Sequence, residues 1–119
     1  MSLKKKIFSG LKNLRTINLD YNKLSYLKPT IFEGLNNLRW VSLNNNRIKA
    51  VDLTMFISLE NLVRIHLESN KLSSFDKYKL FDFPAIEQVC LFNNLNLPIK
   101  ELTCPPKKKN CIIKITEPC

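Results

Sequence analysis

Glycine and histidine are scarce in this chain, at two residues and one residue in 119. No stretch approaches eighteen consecutive apolar residues, which rules out a transmembrane helix of the usual kind. The opening Met1-Ser-Leu-Lys-Lys-Lys-Ile-Phe is basic but lacks an apolar core segment, so no secretory signal is readable there. The four cysteines contain no C-x-x-C pair, and a zinc site of the common kind is not expected. Acidic residues are outnumbered, ten against nineteen Lys and Arg, for a net charge of +9. That excess favours anionic partners without identifying one.

Enough is present to fold. At 45% hydrophobic residues the chain can bury a core, and its length suits one domain. All four cysteines, Cys90, Cys104, Cys111 and Cys119, fall in the last third. An even, clustered set suggests a disulfide-stapled terminus in an oxidising compartment, and four cysteines leave three full pairings open.

Internal repetition decides the reading. Leu14, Ile17, Leu19, Asn22 and Leu24 recur 24 residues later as Leu38, Val41, Leu43, Asn46 and Ile48. The next step gives Leu62, Ile65, Leu67, Asn70 and Leu72. A further step gives Ile86, Val89, Leu91 and Asn94, with Asn96 where a leucine is expected. Upstream, Phe8, Phe32, Phe56 and Leu80 keep step, as do Leu11, Leu35, Leu59 and Phe83, and Leu27, Val51, Phe75 and Ile99. Alternation from Ile17 to Leu19 predicts a short strand with one buried face. One repeat cannot bury that face alone, whereas stacked repeats bury one another's. Strands 24 residues apart then run parallel, joined by crossovers on the far side of the core.

The motif Leu14-x-x-Ile17-x-Leu19-x-x-Asn22-x-Leu24 resembles the leucine-rich repeat. The 24-residue period with its Phe column is similar to the extracellular "typical" class, which includes Toll-like receptor ectodomains and insect secreted immune proteins. The resemblance is close over 7–101 and loose beyond. It implies an α/β-type repeat solenoid, a right-handed coil with a parallel sheet on the concave face and irregular or 3-10 segments on the convex side. Strands are expected near 16–20, 40–44, 64–68 and 88–92. It also implies a non-enzymatic, extracellular binding module, secreted or part of a receptor ectodomain, that recognises a protein or microbial ligand, with innate immunity as one setting.

The column Asn22, Asn46, Asn70 and Asn94 is expected to form a structural ladder, because the chain leaves the sheet there while still buried and one Asn side chain both donates and accepts. Asn13, Asn37 and Asn61 read as turn residues entering the strands.

Residues 1–6 form a basic tail. No polar cap precedes Phe8, so Leu11 and Leu14 are expected to face solvent on one side, leaving an edge suited to edge-to-edge dimerisation. The favoured explanation is a piece cut from a longer protein. Residues 102–119 read as a Cys- and Pro-containing cap with an imperfect fifth strand near 112–116. Ile113 and Ile115 there continue the strand columns, while Asn110 and Pro118 break them, and Pro98, Pro105 and Pro106 interrupt the crossover. The usual family cap carries a closely spaced C-x-C, which is missing here.

The polar strand positions stack into outward columns about 4.8 Å apart. One is Thr16, Trp40, Arg64 and Gln88; the next is Asn18, Ser42, His66 and Cys90, followed by Lys114; the third is Asp20, Asn44, Glu68 and Phe92. Arg15, Arg39, Val63 and Glu87 stand at the strand entrances. These positions vary while the core columns do not, as expected of a scaffold displaying a binding face. Trp40, the sole Trp, beside Arg64 resembles an interface anchor, the other reading being a Trp that covers neighbouring strand residues. Charge on this face nearly cancels, so the cationic excess lies in the column Lys23, Arg47 and Lys71 and in the clusters Lys4–Lys6 and Lys107–Lys109. A solvated edge is the favoured reading of these, with binding of a polyanionic glycan or an acidic surface as the sharper alternative; for the chain as a whole, a truncated remnant without independent activity is a further alternative. Aromatics do not interleave with the lysines, so nucleic acid is not indicated. His66 and Cys90 stand side by side in register. The open sheet offers neither a third orienting group nor fixed geometry, so catalysis, a metal at His66, Glu68 and Cys90, and any cofactor are not expected.

Overall fold

The computed structural model describes residues 7–98, 112–114 and 119, with the backbone alone for Phe81 and Ile112. Five strands of three residues form one parallel sheet in the order β1-β2-β3-β4-β5. They are β1 (Thr16–Asn18), β2 (Trp40–Ser42), β3 (Arg64–His66), β4 (Gln88–Cys90) and β5 (Ile112–Lys114). Ile17 pairs with Val41, Val41 with Ile65, Ile65 with Val89 and Val89 with Ile113, so the sheet register reproduces the 24-residue period.

The ladder continues past each strand. Leu19 N–H donates to the Ser42 carbonyl at 2.8 Å, Leu43 to His66 at 2.8 Å, Leu67 to Cys90 at 2.8 Å and Leu91 to Lys114 at 2.7 Å. Behind the sheet lies one apolar core. Val41, Leu43, Ile48, Ile65, Leu67, Val89 and Leu91 are fully buried. Phe8, Phe32 and Phe56 stack ring on ring at 6.0 and 5.7 Å. Leu80 takes that place in the fourth coil, also fully buried.

Two short 3-10 helices lie on the convex side, Leu53–Phe56 and Lys77–Asp82. Asp52 caps the first by accepting from Thr54 N–H, and Asp76 caps the second by accepting from Tyr78 N–H. A carboxylate there satisfies an N–H that a helix end would leave bare. The equivalent residue one coil earlier is Lys28, which cannot accept, and only turns follow it.

Three expectations change in detail. Asn96 does not replace the missing leucine: the chain slips by one residue, Leu97 is buried and Asn96 stays outside. Burial of the apolar side chain outweighs strict spacing. Asn22 is exposed, because no earlier coil covers the first rung among the described residues. Asn37 and Asn61 are more than turn residues: their amides donate to the Lys12 carbonyl at 3.0 Å and the Asn36 carbonyl at 2.8 Å, tying each coil to the one before. Ile99, Cys104, Pro105, Pro106, Asn110, Cys111, Ile115, Pro118, Lys4–Lys6 and Lys107–Lys109 lie outside the described residues.

Candidate functional site

The sheet face opposite the core carries the outward columns. Thr16, Trp40, Arg64 and Gln88 are adjacent in register, as are Asn18, Ser42, His66 and Cys90. Thr16, Asn18, Trp40 and Arg64 are exposed; Asp20, Asn44, His66, Glu68, Gln88 and Phe92 are half-buried.

Ser42 does not fit the expected role. It is only 4% exposed, and its hydroxyl donates to Asp20 Oδ1 at 2.7 Å. The Asp20 side chain folds over it from the neighbouring coil, so Ser42 is not available to a ligand. Cys90 is buried too, and a disulfide joins it to Cys119. Cys119 is therefore tied to that column at its β4 position.

Asp20 and Asn44 also have work within the scaffold. Asp20 Oδ1 accepts from Asn44 N–H at 2.8 Å, and Asn44 Oδ1 accepts from Glu68 N–H at 2.8 Å. This is a second lateral ladder, parallel to the Asn46–Asn70–Asn94 one. Its sequence signal is a run of side-chain acceptors at a 24-residue interval, Asp20, Asn44 and Glu68. Each residue keeps further polar atoms for a ligand.

Trp40 is about one-third exposed, and its ring packs on His66 with centroids 5.2 Å apart. The indole thus covers a neighbour and still presents an edge. Beside it opens a cleft of about 460 Å³ lined by Arg15, Thr16, Arg39, Trp40, Val63, Arg64 and Glu87. Arg15 and Arg39 were placed at strand entrances by register, and the structure brings them into one wall with Arg64. The three guanidinium groups have no partner among the described residues. Three cations against one carboxylate, with an aromatic edge between, suit a carboxylate-bearing protein surface. A second cleft of about 570 Å³ is lined in part by Lys49, Lys71, Asn93 and Leu95.

Ligand atoms of His66, Glu68 and Cys90 all lie within 4.8 Å of one another. His66 Nε2 is 3.3 Å from Gln88 Oε1. With Cys90 oxidised its sulfur is neither a nucleophile nor a metal ligand.

A leucine-rich-repeat family model matches residues 1–48 and 37–95, which together cover most of the chain. The chain belongs to the leucine-rich-repeat family. Among solved structures it is similar to an internalin C2 from Listeria monocytogenes strain 4b F2365, with 28% identity and a TM-score of 0.69. That likeness covers 90% of this chain and 44% of the internalin chain, so the leucine-rich-repeat chain described here spans less than half the length of that protein. No curated protein sequence matches significantly. Leucine-rich-repeat proteins are generally non-enzymatic binding modules, and the repeat here supports a protein-interaction module. No helix among the described residues is long and apolar enough to cross a membrane.

Proposed function

We propose that the chain is a non-enzymatic binding module whose concave face, centred on Trp40 and Arg64, recognises a protein or microbial ligand. In this reading it is part, or a short member, of a secreted protein or receptor ectodomain of the typical extracellular class, and innate immunity is one setting for it. The observation that carries it is the cleft in which Arg15, Arg39 and Arg64 present guanidinium groups that have no partner among the described residues, beside the Trp40 edge. Cationic forks next to a half-covered aromatic are the composition of an interface centre. The Cys90–Cys119 disulfide supports an oxidising compartment.

The test is binding of the purified chain to a panel of acidic proteins and microbial surface preparations. The comparison is between the unaltered chain, Trp40→Ala/Arg64→Ala, and a convex-side control, Tyr78→Ala/Lys79→Ala. Loss in the first variant and retention in the second are expected. Retention in the first, or equal loss in both, contradicts the reading.

A second reading is polyanion binding at the opposite edge. Lys49 and Lys71 line one cleft there, with Lys23, Arg47 and Lys71 exposed in a column. Heparin retention that falls with salt and is lost in Lys49→Ala/Lys71→Ala would favour it. Edge-to-edge pairing remains the proposal for the first coil, where Ile7 and Leu11 are each about half exposed.

A further inference from the structure

His66, Glu68 and Cys90, with Cys119 bonded to the last, form a cluster of metal-ligand types, a chemistry that neither the repeat nor the binding-face reading uses. Sequence spacing alone brings three of them together, since His66 and Cys90 are register partners and Glu68 follows two residues on. The fourth is placed by the fold. Cys119 reaches the concave face, bonds to Cys90 with 6.0 Å between Cα atoms, and sets its backbone N–H 3.4 Å from Glu68 Oε1.

We propose that reduction of the Cys90–Cys119 disulfide converts this corner into a divalent-metal site, with zinc the fitting ion, held by His66, Glu68, Cys90 and Cys119. The chemistry balances in two steps. A dithiol reductant gives two electrons and two protons, the Cys90–Cys119 bond breaks into two thiols, and the reductant becomes its own disulfide. A divalent cation then displaces both thiol protons to solvent and takes the two thiolates, one imidazole nitrogen and one carboxylate oxygen.

The donor set and the distances agree with this. Two sulfurs, one nitrogen and one oxygen are the ligand types that zinc takes in four-coordinate sites. Tetrahedral bonds of about 2.0–2.3 Å place ligand atoms roughly 3.3–3.8 Å apart. The ligand atoms of His66, Glu68 and Cys90 already lie within 4.8 Å of one another, so these three need about 1 Å of side-chain movement, while the Cys119 sulfur, once released from Cys90, must swing away from it to take the fourth position. Strands β3 and β4 hold two of the ligands at adjacent backbone positions, and Trp40 packed on His66 limits the swing of its ring. Gln88 stands 3.3 Å from the imidazole as an orienting partner. Oxidised, the same sulfurs are consumed by each other. Disulfide and metal are therefore alternative staples for the same C-terminal residue, chosen by the redox state of the surroundings.

The test uses the full chain carrying Cys104→Ser/Cys111→Ser, reduced with a non-chelating phosphine and titrated with Co2+. One equivalent should bind, with a thiolate-to-cobalt charge-transfer band and the intense ligand-field bands of a tetrahedral ion, and Zn2+ should displace it. The oxidised protein should show neither band. His66→Ala and Glu68→Gln should each weaken binding by at least about tenfold. Should the double-serine chain fail to fold, the same titration in the otherwise unaltered chain and in its Cys119→Ser variant decides the matter, with the thiolate band lost in the variant. Three results overturn the proposal: no Co2+ uptake after reduction, uptake without a thiolate band, or uptake unchanged by His66→Ala and Glu68→Gln.

Discussion

Asn46 Oδ1 accepts the backbone N–H of Leu24, twenty-two residues earlier in the chain, at 2.9 Å. The same oxygen takes Asn22 N–H at 3.0 Å, while the Asn46 amide donates to the carbonyls of Leu19 and Leu43, each at 3.0 Å. Asn70 repeats the arrangement toward Ile48, and Asn94 toward Leu72. One side chain thereby completes the polar accounts of two coils, and no buried side-chain polar atom among the described residues lacks a partner.

Replacing Asn46 with Ala should strip the Asn22 and Leu24 N–H groups of their acceptor in a site only 6% exposed, while the Leu19 and Leu43 carbonyls lose one donor each and keep the Asn22 and Asn70 amides. The expected loss is about 3 kcal/mol, from the cost of leaving buried polar groups unmade. Asn22→Ala should lose about 1 kcal/mol or less, because its rung is exposed and its amide bonds reach only Leu19 and Asp20 of its own coil. Urea denaturation of the two variants against the unaltered chain checks both figures and, more tellingly, their order.

Tyr21 holds a left-handed backbone, with φ of 59°. Its counterparts Asn45, Ser69 and Asn93 adopt the same conformation, with φ of 58°, 54° and 61°. Asn tolerates this region better than an aromatic does. Tyr21 is 78% exposed and loses little packing on replacement. Tyr21→Asn should therefore raise stability by about 0.5–1 kcal/mol, read as a higher urea midpoint with an unchanged slope.

The Asp52 carboxyl is held below the usual aspartate range. The Thr54 hydroxyl donating at 2.6 Å is the largest cause, and the Thr54 backbone N–H at 3.0 Å the next. A folded-state value below the unfolded one means the cap stabilises the protein above the unfolded-state pKa and is lost as pH falls through the folded-state value. An NMR titration of the Asp52 carboxyl carbon should show a midpoint lower than that of an unstructured aspartate. Thr54→Val should bring the midpoint back toward it.

Period, strand positions and core columns were legible from residue types, because a buried column tolerates only apolar side chains and repeats them. The Asn ladder was legible for the same reason: one short side chain must serve several backbone groups. What spacing does not carry is which outward side chain turns inward. Ser42 is buried because Asp20 folds onto it, an interaction between neighbouring coils that no single repeat specifies. The arginine wall was half legible, since register places Arg15 and Arg39 together but does not aim them at the cleft beside Trp40. Cys119 stands twenty-nine residues from Cys90 with no repeat between to fix its path, so its place on the concave face could only come from the fold.

Amide hydrogen exchange in Asn46→Ala is the most direct test that each coil is completed by the next. Leu24 N–H, whose acceptor is Asn46, should exchange about tenfold to a hundredfold faster, while Ile48 N–H, which keeps its bond to Asn70 Oδ1 at 3.1 Å, should change much less. Equal protection of Leu24 and Ile48 in that variant would show that the side chain does not bridge the coils, and the account would fail there.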